Sequence, residues 1–412
     1  MADVRLTQLF TNIANAIRNK KGSIGIIKAA DFPAEIESIE VGGGSEPTIE
    51  LERKDVNFYD YEGTLLFSYT LAEAQALNEL PTPKGHEGLE FQGWNYTLEE
   101  LKTMLTEVGS CDIGAHYITD DGKTRLYITI PTLMRGSVIV NLINQKSGGS
   151  VTIQWGDGSE DTYSSSVIVA EHNYEAIGDY IITITPSDNT TILLGQYSSS
   201  VGIIHTVSNY DYGESSKLRK VEIGRNAILS NAVFANCVLL KAVSMPSDIT
   251  LTNSVFMECR SLLFLTMPRS EHNLPSCFAN SGIKAISIPC TNTAITAVML
   301  SSCINLLELF IPHSVTQLGA NCNSSSKSLV KVVLPKTILT IPANAFADNG
   351  GVLLYDFSHH EEVPTIDNIS AFRNISANCR IVVPDELFDD WKGQTNWSTY
   401  ADRIVKASEY GN

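Results

Sequence analysis

Residues 240–246, Leu240-Lys241-Ala242-Val243-Ser244-Met245-Pro246, return as Leu262-Leu263-Phe264-Leu265-Thr266-Met267-Pro268 and again as Ile283-Lys284-Ala285-Ile286-Ser287-Ile288-Pro289. Copies follow at 306–312 and 329–335, and a forerunner at Leu218-Arg219-Lys220-Val221-Glu222-Ile223 lacks only the proline. The step is 21–23 residues. Each copy is one short strand with three inward apolar positions. Proline just past it stops pairing. A lone strand of this kind cannot cover its apolar face, so the copies must stack side by side as a solenoid. A second column runs Phe234, Phe256, Phe278, Leu300, Asn323, Phe346, and three residues on stand Cys237, Cys259, Ser281, Cys303, Ser326, Asn349. The aromatic fills the middle of each coil. Cysteine at a fixed phase of a repeat is a small buried ladder residue, not a nucleophile or disulfide partner. Asn323 breaks the aromatic column, and the last copy is degenerate, with Phe372, Cys379 and Val383-Pro384.

This unit, F-x-x-C followed by a Leu-rich strand and I-P, resembles the BspA-like leucine-rich repeats of bacterial and protist surface proteins. The resemblance implies a solenoid over 191–384. The helical tail 385–412 is read as its cap, with Trp391, Trp397, Tyr400 and Ile404 sealing the open end. The strand phase turns Leu263, Phe264, Thr266, Leu307, Phe310, Val330 and Val333 outward. Mostly apolar, this strip marks an expected receptor-binding face. The competing reading has a flanking domain, the cap or another subunit covering it. If the strip is open, replacing Phe264 and Phe310 by Ser abolishes adsorption and leaves melting nearly unchanged.

The front of the chain differs in charge. The 412 residues carry 29 Lys plus Arg and 46 Asp plus Glu, a net −17. Residues 191–384 hold 12 acidic and 13 basic side chains, so the acidity lies outside the repeats, chiefly in the first 190 residues. So acidic a chain is poorly suited to a nucleic-acid backbone. No apolar run reaches a bilayer's width, so no membrane insertion is expected. Eight cysteines show no C-x-x-C spacing, and no metal or cofactor is expected. His359-His360-Glu361-Glu362 lacks the H-E-x-x-H spacing and is read as a solvated loop. No G-x-S-x-G or phosphate loop is present, so no enzyme is expected.

Three modules precede the repeats. Leu6, Phe10, Ile13 and Ile17 line one face of a helix within 1–41, an attachment segment expected to dock onto a tail or to oligomerise, a trimer being favoured. Gly42-Gly43-Gly44-Ser45 is a flexible linker. Residues 48–124 read as a small α/β, β-grasp-like domain: a hairpin around Tyr61-Glu62-Gly63, a strand at 89–94, and a capping box Thr97/Glu100. Its 56–94 stretch, closing on Phe91-x-Gly93-Trp94, resembles bacterial surface repeats of the Listeria–Bacteroides type. Within 125–190, Trp155-Gly156-Asp157-Gly158, His172-x-Tyr174 and Gly178-x-Tyr180 resemble a PKD-type β-sandwich. Asp157 serves the tight turn there, with calcium ligation by Asp157 and Asp161 as the lesser reading.

The expected fold is therefore multidomain and mainly β: N-terminal helices, a small α/β domain, a PKD-like β-sandwich, a leucine-rich-repeat solenoid and a C-terminal helical cap. The opening Thr11 to Gly22, followed by Asp31 to Ile39, resembles the N-terminal segment of tail-associated proteins from phages of Gram-positive gut bacteria. That resemblance implies a virion tail protein, assembled in the host cytoplasm. Its N-terminus would hold other tail or baseplate proteins and its solenoid a host-surface glycan or protein, with the α/β and sandwich domains as spacers. The alternatives are a BspA-like cell-surface adhesin and a structural tail component whose repeats pack against sister subunits.

Overall fold

The structure is a computed structural model and describes residues 52–132, 136–187, 190–195, 203–205, 217–270 and 274–410. Leu6, Phe10, Ile13 and Ile17 lie outside the described residues. The molecule is mainly β.

The first module has strands β1 (Val56–Tyr59), β2 (Leu65–Tyr69), β3 (Leu89–Trp94) and β4 (Cys111–Thr119), with helices α1 (Leu71–Gln75) and α2 (Leu98–Glu107). The strand order is β2-β1-β4-β3, with β1 parallel to β4. Both helices start on a capping box, Thr70/Glu73 and Thr97/Glu100, in which hydroxyl and carboxylate satisfy the free amides of the first turn. All nine residues of β4 are buried, so this strand has cover on both faces.

Two further sheets share one core. β5 (Thr124–Ile130), β7 (Val151–Gln154), β8 (Glu160–Tyr163) and β10 (Gly178–Pro186) form one; β6 (Ser137–Asn144), β9 (Val167–Asn173), β11 (Ile192–Leu194) and β12 (Ile204–His205) form the other. Repeat strands continue both. β13 (Leu218–Glu222) pairs antiparallel with β5, and β14 (Ala227–Leu229) pairs parallel with β11. The sandwich thereby closes the front of the solenoid, and one core runs unbroken from Leu126 to Ile404.

The repeat strands are β15 (Ala242–Ser244), β16 (Phe264–Thr266), β17 (Ala285–Ser287), β19 (Glu308–Phe310), β21 (Lys331–Val333), β23 (Leu354–Asp356) and β25 (Arg380–Val383). Between them lie two-residue strands β18 (Ala294–Ile295), β20 (Gln317–Leu318), β22 (Thr340–Ile341) and β24 (Thr365–Ile366). Paired repeat strands run parallel in register, as with Leu265 opposite Ile286. Phe234, Phe256 and Phe278 stack at 5.6 and 5.8 Å, and Phe346 on Phe372 at 5.6 Å. Asn323, in the gap, joins a buried ladder: Asn349 Nδ2 donates to its carbonyl, and Asn349 Oδ1 accepts from Ser326 N. The polar side chain is tolerated there because its partners are buried with it.

Six coils turn on two left-handed residues four apart, among them Ala232/Asn236, Ser254/Glu258, Ser276/Asn280 and Asn344/Asp348. Asn and Asp suit such positions; the β-branched Val298, at φ 60°, does not. At the far end α3 (Phe388–Gly393) and a 3₁₀ turn over Trp397–Arg403 bury Trp391, Trp397 and Tyr400 against Phe357 and Phe372. Beyond them β26 (Ile404–Lys406) adds a last parallel strand to β25.

Candidate functional site

The expected receptor face lies where the repeats meet the α/β domain. Strand β4 lies across the outer surface of β15, β16 and β17. Asn95, fully buried, donates to the Ser287 carbonyl at 3.1 Å and accepts from Gly114 N at 3.0 Å. Tyr96 Oη donates to the Ile288 carbonyl, and Ser244 Oγ to the Tyr117 carbonyl at 2.8 Å. Arg269 grips Glu100 through two hydrogen bonds of 2.7 and 2.9 Å. Partial burial of Glu100 opposes its ionisation, but the Arg269 and Thr97 bonds outweigh it and hold the carboxyl below its usual range. Arg53 bridges the buried Asp112 and Glu308 of β19.

Apolar contacts complete the seal. Phe264 lies 4.7 Å from Tyr59, ring to ring. Ala242, Phe310 and Val333 join the core of the α/β domain, not that of the solenoid. Two glycines let the surfaces close. A Cβ at Gly114 would sit 2.0 Å from Thr266 Oγ1, and one at Gly63, whose φ is +85°, would sit 2.8 Å from the Phe264 Cβ.

This corrects the expected face. Phe264, Thr266, Phe310 and Val333 do point away from the solenoid core, as their phase requires, but are 3, 5, 9 and 1% exposed. The α/β domain is a cover on the sheet, not a spacer, so these four are not available to a receptor in this arrangement. Leu263 and Val330 stay open at 51 and 41%, and Leu307 is partly open. They stand immediately before strands β16, β21 and β19 respectively, at the sheet's entry edge.

That edge forms a row which sequence reading only partly selected. Lys241 N donates to Arg219 O, Lys284 N to Leu263 O, Leu307 N to Lys284 O, Val330 N to Leu307 O, Leu353 N to Val330 O and Arg380 N to Leu353 O. Lys241, Lys284, Leu353 and Arg380 are all exposed. The signal that finds them is the second position of L-x-x-L-x-L, read as a column through every copy.

Other candidate chemistry is structural. Burial pushes the thiols of Cys237, Cys277, Cys303 and Cys322 up to about 12, and Cys259 and Cys303 donate to the Phe234 and Phe278 carbonyls. His360 is not in a solvated loop: it is 2% exposed against Phe357 and Trp391, and burial pulls its imidazole down to about 4. Asp157 Oδ2 lies 2.7 Å from His172 Nε2, its Oδ1 accepts from Ser159, and Asp161 accepts from Trp155 Nε1. Slight burial of Asp157 opposes ionisation, yet the Ser159 and His172 bonds hold its carboxyl down to about 2. Turn chemistry thus employs both carboxylates. Among the described residues no group of three or more His, Cys, Asp or Glu is arranged to hold a metal ion, and no helix is long and apolar enough to cross a membrane.

Residues 198–306 and 227–352 match the family described as BspA type Leucine rich repeat region (6 copies). The repeats are thus similar to BspA-type leucine-rich repeats. A leucine-rich-repeat protein of T. pallidum is similar to the chain at 17% identity, over 44% of this chain and 68% of its own, with a TM-score of 0.22. One from Bacteroides ovatus ATCC 8483 is similar at 15% identity, over 43% of this chain and 52% of its own, with a TM-score of 0.25. No curated protein sequence matches the chain. The BspA-type match stops short of both the α/β cover and the helical cap.

Proposed function

We propose that the protein is a non-catalytic attachment protein that binds a cell-surface glycan or protein through its BspA-type solenoid. The observation that carries this reading is the unbroken core from the sandwich to the cap, which makes the repeats a stiff scaffold with an exposed edge. With the sheet face covered, that edge takes over as the binding surface.

In this reading the chain is carried on a phage tail by residues 1–41, as an oligomer, having been assembled in the host cytoplasm. Several weak sites on one particle then raise apparent affinity by roughly 10²–10⁴. The Trp155-Gly156-Asp157-Gly158 turn, whose Trp155 stacks on His172 at 4.7 Å, supports a PKD-like assignment for the sandwich. The repeat type equally favours a second carriage, on a bacterial surface as a BspA-like adhesin.

Adsorption of the labelled full chain to intact bacteria tests attachment. Saturable adsorption without release of reducing ends from purified wall polymer is expected. Polymer cleavage, or no adsorption to any cell, overturns the proposal. Immunogold labelling decides the carriage: tail tips support the virion reading and cell walls the adhesin.

A further inference from the structure

The entry-edge row is more than a leftover of docking. In spatial order it reads Lys241, Leu263, Lys284, Leu307, Val330, Leu353, Arg380. At one strand spacing per step it spans roughly 30 Å. Beside it, in the preceding turns, stand Arg260, Ile304 and Lys327, all exposed. Five cations therefore line one edge of a molecule whose net charge is −17, four of them outside the Arg260–Glu258 pair, and the row itself contains no acidic residue. Acids in the adjoining positions are already engaged: Glu258 with Arg260 at 2.8 Å, Glu308 with Arg53 at 3.2 Å, Asp348 with Arg373 at 2.7 Å. Lys284, Lys327 and Arg380 have no carboxylate within ion-pair distance among the described residues.

The form of the row narrows the partner. Six of its seven backbone amides, all but that of Leu263, donate to the carbonyl of the preceding copy. An added peptide strand finds no free edge there, and a ridge offers an amphipathic helix no groove. What it offers is spaced ammonium and guanidinium heads among exposed aliphatic side chains, an attraction to anions that salt screens. That pattern suits a linear polymer read by its repeating charge.

Resting on the attachment reading, we infer that the edge from Lys241 to Arg380 binds a linear phosphate-bearing polymer, of the polyol-phosphate class, laid along the solenoid. Lys284, Lys327 and Arg380 carry the charge contacts, and Leu307, Val330 and Leu353 form the surface between them.

The test uses the full chain and poly(glycerol phosphate) as the probe, titrated calorimetrically from about 50 to about 200 mM salt. The wild type should bind, with affinity falling steeply as salt rises. K284E/K327E/R380E should weaken binding at least tenfold and flatten the salt slope by about 2 to 3, one increment per lost contact. Reversals off the row, K84E/K102E/K392E, should change affinity less than twofold, and circular dichroism should show both variants folded. Absence of wild-type binding, an equal loss in the off-row variant, or preference for poly-L-glutamate over the phosphate polymer would each overturn the inference. Cell adsorption separates the two claims. If the row variant adsorbs to cells as the wild type does, the row is refuted and attachment stands. If the wild type binds the polymer but no cell, the row stands and attachment fails.

Discussion

Leu263 and Phe264 are neighbours in one strand, and their replacement by serine should have opposite consequences. Leu263 is 51% exposed; Phe264 is 3% exposed, its ring against Tyr59 and its Cβ above Gly63. A buried phenylalanine removes about 150–250 Å² from water. At about 25 cal/mol/Å² that is about 4–6 kcal/mol, an upper value because unfolded chains bury part of it already. Truncation of a buried aromatic costs about 3–5 kcal/mol in practice. F264S should therefore lower stability by about 3–5 kcal/mol, and L263S by less than about 0.5 kcal/mol. Urea unfolding followed by tryptophan emission measures both. Trp94 reports the α/β domain, Trp155 the sandwich, and Trp391 with Trp397 the cap, so single-Trp versions show where the loss falls. The Trp94 signal should move first, because Phe264 belongs to the covering contact. Equal, small effects from the two substitutions would mean that the sheet face is open and the α/β domain is not seated on it.

Three further outcomes follow from the same contacts. G114A should cost about 1–3 kcal/mol by overpacking against Thr266, and T266G should recover part of that in the double variant; additive losses in a urea double-mutant cycle would show that the two residues do not touch. His116 of β4, 1% exposed at the seam with the repeats, is pulled down to about 4 by burial, partly offset by the Met245 and Met267 carbonyls and helped by Arg269, and His360, packed against the cap's Trp391, is likewise pulled to about 4. Their unfolded imidazoles take up protons near 6.5, so stability is complete above that pH and is lost as pH falls toward 4, by about 3 kcal/mol per histidine; H116Q and H360Q should each flatten this slope in urea midpoints measured between those limits, and an unchanged slope would place the histidines in solvent. V298N should raise stability by about 0.5–1 kcal/mol by relieving a left-handed β-branched residue, and a loss above about 1 kcal/mol in thermal unfolding would mean that the packing of Val298 outweighs its strain.

Much was legible because it is local or periodic. The column Leu218, Leu240, Leu262, Ile283, Leu306, Leu329 is wholly buried, as its spacing demands, and the capping box at Thr97 starts α2. Phe264 and Phe310 do face away from the solenoid core. Their burial was not legible, since it depends on a domain seated through Tyr59, Gly63 and Asn95, which lie more than 150 residues earlier and carry no periodic signal. His360 reads as polar in sequence, yet Phe357 and Trp391 close over it only once the cap folds back.

The repeat, its length and the side chains that face into the coil are written in the order of residues, because a strand's alternation is set by the backbone. Which outward side chains meet water emerges only when distant surfaces pack. A separate domain, held by Asn95, Tyr96 and the Arg269–Glu100 pair, lies over Phe264, Thr266, Phe310 and Val333 and leaves Leu263, Leu307 and Val330 at the rim. Burial is a relation between distant surfaces, and one residue's shift along the strand separates the covered row from the open one.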